Sequence, residues 1–309
     1  MGTVTSTATA WVLGSGGLLG SALVRRAKHH NIDVFTGDQI PWSKPHKRAR
    51  IFDKSSRDLA QACARTGTPM VVLWAAGVAG VSSDHSTAMA ETEILNELLA
   101  ALRPHWPSKA ATFFLASSAG AVYAASSQAP FTSSSPTVAN SPYGNAKLEQ
   151  EKLLATTLPP GVRGVIGRLG NIYGPPTHGR HGLVSRLTIA ALTRSALNLF
   201  VPTETLRDYC WSDDAADLIW RDVLNEDLDS CTRIIGSGQA VTISQVIATV
   251  QAVTHRKVPL ALGTDPESAR QPIDLRLKPD WLAFPSEIQP LDLASGIKRL
   301  VSDLATAPR

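Results

Sequence analysis

At 309 residues the chain is long enough for one large domain or two modest ones, and a hydrophobic share of 43% fits a globular protein with a sizeable core. No apolar run approaches the roughly 18 residues of a membrane span, and the start MGTVTSTATA lacks the apolar centre of a signal peptide, so the expected location is the cytoplasm and no membrane partner is expected. The net charge of +4 is mild and its densest run, Lys44 to Arg50, has no stacking aromatics interleaved, which argues against nucleic acid, while Cys63, Cys210 and Cys231 are too few and too scattered for a disulfide framework or a four-ligand zinc site.

The stretch Ala10 to Gly20 reads as a strand, a tight turn and a helix start. Trp11, Val12 and Leu13 suit a buried parallel strand, and Leu18, Leu19, Ala22 and Leu23 recur at helical spacing. Gly14, Gly17 and Gly20 fall at GxxGxxG spacing. Glycine permits the positive φ such a turn needs, lets a diphosphate approach bare backbone, and leaves helix N–H groups for its phosphates. The bland alternative is a plain tight turn. Ile32 to Thr36 is a second strand, and Asp38 follows 18 residues beyond Gly20, where an acid accepts from both adenosine ribose hydroxyls and favours NAD over NADP. Lys47, Arg48 and Arg50 offer an alternative partner set for a 2′-phosphate, so NADP stays open. A third strand is expected at Arg50 to Phe52, ending in Asp53 at the adenine edge, followed by a helix at Arg57 to Arg65. The strand Met70 to Trp74 then runs into Ala75, Ala76 and Gly77, whose small side chains leave room for a cofactor.

Ala88 to Leu102 reads as a helix with Ile94, Leu95, Leu98, Leu99 and Leu102 on one face. Strand Thr112 to Ala116 delivers Ser117 and Ser118, a Ser/Thr/Ala/Pro-rich loop leads to Tyr143, Lys147 begins a helix, and Val162 to Arg168 is the next strand. Strands alternating with helices up to residue 170 argue for an α/β fold whose parallel sheet is covered on both faces. Beyond it, Pro175-Pro176 and His178 to His181 mark a boundary; the two histidines lack a nearby carboxylate or cysteine and are read as loop, so no metal is expected. Helices follow at Leu183 to Ser195 and Asp213 to Leu224, and Thr242 with Gln245 has capping-box spacing.

Tyr143 and Lys147 lie one helical turn apart and point the same way. An ammonium beside a phenol favours the phenolate, which then moves a proton on a substrate hydroxyl while a nicotinamide moves the hydride. With this pair in place, the chain resembles the extended short-chain dehydrogenase/reductases, in particular the nucleotide-sugar epimerase and dehydratase group. The resemblance rests on Gly14-x-x-Gly17-x-x-Gly20, Asp38, Asp53, Ala75-Ala76, Ser117-Ser118 before Val122-Tyr123, Tyr143-x-x-x-Lys147, the run from Arg168 through Asn171 and Tyr173 to Pro175, and Arg207-Asp-Tyr with Asp213-Asp214. It implies a Rossmann doubly wound parallel sheet over residues 1–170 that keeps NAD(P) bound. Residues 171–309 would then form a smaller, mixed substrate domain, with some segments returning to the Rossmann part. It further implies a nucleoside-diphosphate sugar as substrate, a hydrogen bond from Ser118 (Ser117 as fallback) to the reacting oxygen, substrate contacts from Asn171, Tyr173 and Arg207, and a homodimer built on the helices at Ala88 to Leu102 and Tyr143 to Thr157.

The departures bear on the reaction. The dehydratases resembled carry an Asp-Glu pair after the catalytic hydroxyl, since removing water needs its own acid and base. This chain has Ala119 and Gly120. Leu73, Ala124 and Pro202 to Thr205 also replace residues usual in the group, which leaves the sugar open. The leading expectation is therefore a 4-epimerase working through a transient keto sugar. The alternatives are a ketoreductase or dehydrogenase of a keto-sugar and, from another class, a non-catalytic NAD(P)-binding regulator.

Overall fold

Runs of Val, Leu, Phe and Trp long enough for buried strands alternate with amphipathic helices, and in the computed structural model they assemble a parallel sheet with helices on both faces. The structure describes residues 7–107, 110–175, 177, 182–225, 227–263, 272–283 and 288–306. The sheet is built from β1 (Ala8–Leu13), β2 (Ile32–Val34), β3 (Met70–Trp74), β4 (Ala111–Ser118), β5 (Val162–Leu169) and β9 (Cys231–Ile235). Their order is β2-β1-β3-β4-β5-β9, every neighbouring pair parallel.

Side-chain alternation along these strands feeds two cores. Ala8, Ala10 and Val12 face α1 (Leu18–Ala27) and α7 (Ser212–Leu224), where Leu23, Ile219 and Trp220 are buried. Trp11, Leu13, Val72, Trp74, Phe113 and Leu115 face the opposite way, onto α2 (Pro45–Thr66), α3 (His85–Leu102) and, beyond the short α4 (Ala119–Val122), α5 (Pro142–Thr157). The apolar stripe of α3 thus meets the sheet. Arg25 and Arg26 of α1 pair with Asp213 and Asp217 of α7 at 2.6 and 2.8 Å.

One expectation is overturned. Arg50 to Phe52 is not a strand but part of the 22-residue helix α2, which also absorbs the helix expected at Arg57 to Arg65. Phe52, Leu59 and Cys63 recur at helical spacing and are buried, Pro45 opens the helix where a missing N–H costs nothing, and Gly67 closes it in the left-handed region at φ 70°. The apolar pair Ile51-Phe52 is too short to separate strand from helix. Asp53 accordingly sits on an exposed helix face, paired with Arg57 at 2.5 Å and His105 at 3.5 Å, rather than at the end of a sheet strand.

After β5 the chain moves away from the sheet. β6 (Asn171–Tyr173) pairs with β8 (Leu206–Trp211), which also pairs with β10 (Ala240–Thr242) and β12 (Asp274–Leu275). β7 (Leu197–Leu199) pairs with β11 (Leu260–Leu262). Helices α6 (Leu183–Thr193), α8 (Ile243–Thr254) and α9 (Leu293–Thr306) cover this part around Tyr173, Leu187, Trp211, Val246 and Leu300. The capping box at Thr242 and Gln245 is formed in full. Between these elements, α7 and β9 return to the parallel sheet. Among the described residues no helix is long and apolar enough to cross a membrane.

Candidate active site

The site lies at the carboxyl ends of β1, β3 and β4, where an α/β sheet places its ligands. Gly14 follows β1 at φ +88°, and a Cβ there would stand 2.6 Å from the Ala75 carbonyl oxygen; a Cβ on Gly20 would stand 2.1 Å from that of Gly14. Both positions therefore admit only glycine. The Gly17 N–H donates to the Gly14 carbonyl at 2.9 Å, and Gly17 caps α1 without a side-chain partner for the first turn that Leu18 and Leu19 open. Those first N–H groups have no carbonyl within the helix and face an anion-binding position. A cavity of about 380 Å³ beside the turn is lined by Gly14, Gly16, Gly17, Ala75, Ala76 and Glu91 among others. A second, of about 490 Å³, shares Gly14 and Gly16 and is lined further by Asp38, Ile40 and Trp42. Bare glycine backbone, an uncapped helix start and an acid beyond β2 form a cradle that a dinucleotide fits.

Asp38 lies where the sequence puts it, but its carboxylate accepts from Lys54 Nζ at 2.9 Å, and Lys54 also reaches Asp58 at 3.2 Å. Lys54 was not among the cations expected near the ribose; folding α2 as a helix brings it there. Arg48 is turned inward instead, donating to Glu97 at 2.6 Å and to the Trp42 carbonyl.

Ser118 ends β4, and its hydroxyl faces the phenol of Tyr143 in the first turn of α5 closely enough to draw that phenol's pKa down. That helix begins five residues before Lys147, because Ser141 caps it by accepting from the Gly144 N–H at 3.1 Å and Pro142 opens it. Ser117 has a different partner, Glu151 at 2.5 Å, and Glu151 is held by Arg168 at 2.7 Å. Arg168 also donates to the Tyr123 hydroxyl at 2.7 Å. Ser117 thus belongs to a buried network beneath the site, and Ser118 is the serine that meets Tyr143.

Lys147 Nζ lies 5.6 Å from the Tyr143 ring centroid and donates to the Ala116 carbonyl at 3.2 Å and Gln150 Oε1 at 3.0 Å. Burial pushes the Tyr143 phenol up to about 12, Glu91 adds to the rise, and Ser118 pulls against it. Burial pulls the Lys147 ammonium below its ordinary value, while Glu91 and Glu151 push back. Without ligands, then, the phenol is protonated at neutral pH. Glu91, on the buried stripe of α3 with Leu95 and Leu98, was missed in the sequence because its neighbours at helical spacing are apolar. Its Oε1 accepts from the Val78 and Ala79 N–H groups at 2.5 and 2.6 Å, fixing the loop after β3.

In the second half, Asn171 lies opposite Tyr209 across β6 and β8. Arg207 shares the strand face of Tyr209; it is buried, donates to the Leu206 and Pro272 carbonyls at 2.8 and 2.9 Å, and is pulled down by burial. Tyr173 is placed elsewhere: 1% exposed, edge-on to Trp211 at 5.5 Å, and against Gly296, where a Cβ would stand 1.8 Å from its hydroxyl. It packs the core of the second half. His178 and His181 lie outside the described residues, among which no group of three or more His, Cys, Asp or Glu could hold a metal.

A parallel sheet, a glycine turn and a Ser-Tyr-Lys set at the strand ends define a dinucleotide-dependent short-chain oxidoreductase architecture. The model of the NAD dependent epimerase/dehydratase family matches residues 10–233, and the chain belongs to that family, whose members are enzymes. No curated protein matches it by sequence. Similar solved structures include RMD from Pseudomonas aeruginosa complexed with NADPH (19% identity, TM-score 0.76, 96% of this chain and 98% of that one). The NAD-dependent NDP-hexosamine 5,6-dehydratase TunA, involved in tunicamycin biosynthesis, is similar at 21% identity and TM-score 0.74 over 97% and 99% of the two chains. UDP-glucose 4-epimerase from Thermotoga maritima is similar at 20% identity and TM-score 0.72 over 96% and 98%. At these identities the likeness is one of fold, and the last two names give different reactions.

Proposed function

We propose that this protein is a 4-epimerase of a nucleoside-diphosphate sugar, acting through a transient 4-keto sugar with NAD. The observation that carries the reading is the Ser118 hydroxyl facing the Tyr143 phenol, with Lys147 one helical turn on and Ala119 and Gly120 where a dehydratase needs an acid and a base. Tyr143 takes the proton of the C4 hydroxyl on its phenol oxygen and later returns it. Ser118 holds the same substrate oxygen, and the Lys147 ammonium balances the phenolate. A bound nicotinamide dinucleotide supplies the hydride acceptor and donor and, when oxidised, a positive charge that favours the phenolate. Asn171, with Tyr209 beside it, and Arg207 contact the nucleotide and its phosphates. The reading places the protein in the cytoplasm, as a homodimer joined through the outer faces of α3 and α5; light scattering checks the latter.

The Asp38–Lys54 pair favours a second reading, since an ammonium beside the ribose position accommodates a 2′-phosphate: a ketoreductase or dehydrogenase using NADP. Incubating the purified protein with nucleoside-diphosphate hexoses separates the two. The epimerase forms the C4 epimer with no net change in nicotinamide absorbance, whereas stoichiometric consumption of NADPH or NADH overturns it in favour of the second.

A further inference from the structure

Trp42 is 40% exposed, whereas Trp11, Trp74, Trp211 and Trp220 are at most 4% exposed. It lines both cavities flanking the glycine turn, the one that holds Ala75 and Glu91 and the one that holds Asp38. Its place is fixed with some care. The Lys44 N–H donates to the Pro41 carbonyl at 2.9 Å, closing a turn around it. Its indole meets Phe52 at 6.4 Å and Trp74 at 6.1 Å, both edge-on, and its carbonyl accepts from Arg48, a residue only 7% exposed and anchored on Glu97 at 2.6 Å. Burying a guanidinium carries a desolvation cost that a solvent-facing loop with no ligand to meet does not require.

The two ends of the cleft differ in chemistry. Ser118, Tyr143 and Lys147 stand at the end of β4 and on α5, and the glycine turn at the end of β1 takes the diphosphate. Trp42 shares its cavity with Asp38, on the β2 side, so it belongs to the adenosine end. There the helix α2 occupies the chain segment expected to supply a third strand and Asp53, and Asp53 itself is paired with Arg57 on an exposed face. That leaves the purine without the acid expected to read its edge, and offers it an indole instead. We propose that Trp42 is the wall against which the adenine ring of the dinucleotide stacks, a role resting on the dinucleotide reading above. Indole and purine are both large flat π surfaces, and such stacking holds a base without hydrogen-bond readout.

The test is titration of AMP, ADP-ribose and NAD⁺ into wild type, W42F and W42A, followed by calorimetry and tryptophan fluorescence, with melting temperature as the folding control. W42A weakens AMP about tenfold, or about 1.4 kcal/mol. W42F keeps AMP affinity within about threefold of wild type but loses the AMP-induced quenching, because a phenyl ring still stacks while the reporting indole is gone. W42A binding AMP as tightly as wild type, or W42F quenching as fully, overturns the proposal while leaving the dinucleotide reading intact. If wild type binds none of the three ligands, the dinucleotide reading fails and this proposal with it.

Discussion

Ser117 and Ser118 are neighbours at the end of β4 that reach different residues of α5, Glu151 and Tyr143. Their alanine variants should therefore fail differently. S118A is expected to lower turnover about 100-fold or more with an unchanged melting curve. S117A leaves a buried carboxylate one hydrogen bond short and is expected to cost about 1–3 kcal/mol in denaturant unfolding, with most of the turnover retained. Tyr143 offers a second check at this scale. Its phenol is pushed up to about 12 by burial and then by Glu91, and near that pH Lys147, already below its ordinary value, is neutral. Removing the negative charge of Glu91 favours the phenolate, so Glu91→Gln should lower the midpoint of the tyrosinate band that Y143F abolishes. A midpoint that stays put or rises would contradict the assignment of Glu91 as a charge felt at Tyr143.

At the scale of elements, α2 is where the sequence and the structure part. β3 spans Met70–Trp74 as its continuous apolar run indicates, and the helix over Ala88 to Leu102 starts only three residues earlier, at His85, where Asp84 caps it. Arg50 to Phe52 misled because strand and helix share the same short apolar signature, and only the longer spacing through Leu59 and Cys63 distinguishes them. Ser118 is expected at the end of a strand and Tyr143 and Lys147 one helical turn apart, and the structure places Ser118 at the end of β4 and the other two in α5. Glu91, Trp42 and Lys54 were not legible in the sequence, because their relation to the cleft depends on how α2 and α3 pack. If the exposed α2 face described here is right, Asp53→Ala loses only surface pairs worth about 0–1 kcal/mol in total stability and leaves NAD affinity at the wild-type value. A marked loss of affinity by calorimetry would restore Asp53 to the adenine edge. At the junction of α7 and α9, burial raises Asp214 to about 6 from 3.8, although its carboxylate accepts from the Leu291 N–H at 2.8 Å. A carboxyl whose folded value lies above its unfolded one favours the fold while protonated, below about 3.8, and that contribution is lost as pH rises through about 6. Asp214→Asn, which keeps an acceptor for Leu291, should flatten the fall in melting temperature across that window and stabilise the protein above it.

In the whole molecule, the two halves are built from interleaved stretches of chain: α7 and β9 return to the parallel sheet after β8 has begun the second half, and Arg25 and Arg26 hold α7 against α1. This interleaving ties β6 and β8, which carry Asn171 and Arg207, to the sheet that carries Ser118, as the proposed reaction on one carbon of a sugar requires. The fate of that carbon's hydrogen is the most direct measure of the proposed chemistry. With UDP-glucose or another nucleoside-diphosphate hexose carrying deuterium at C4, hydride removal and return at the same carbon yields an epimerised product that retains the label at C4, with no net nicotinamide reduction. Label lost to solvent, a product lighter by one water, or deuterium accumulating on free nicotinamide would contradict the 4-epimerase reading.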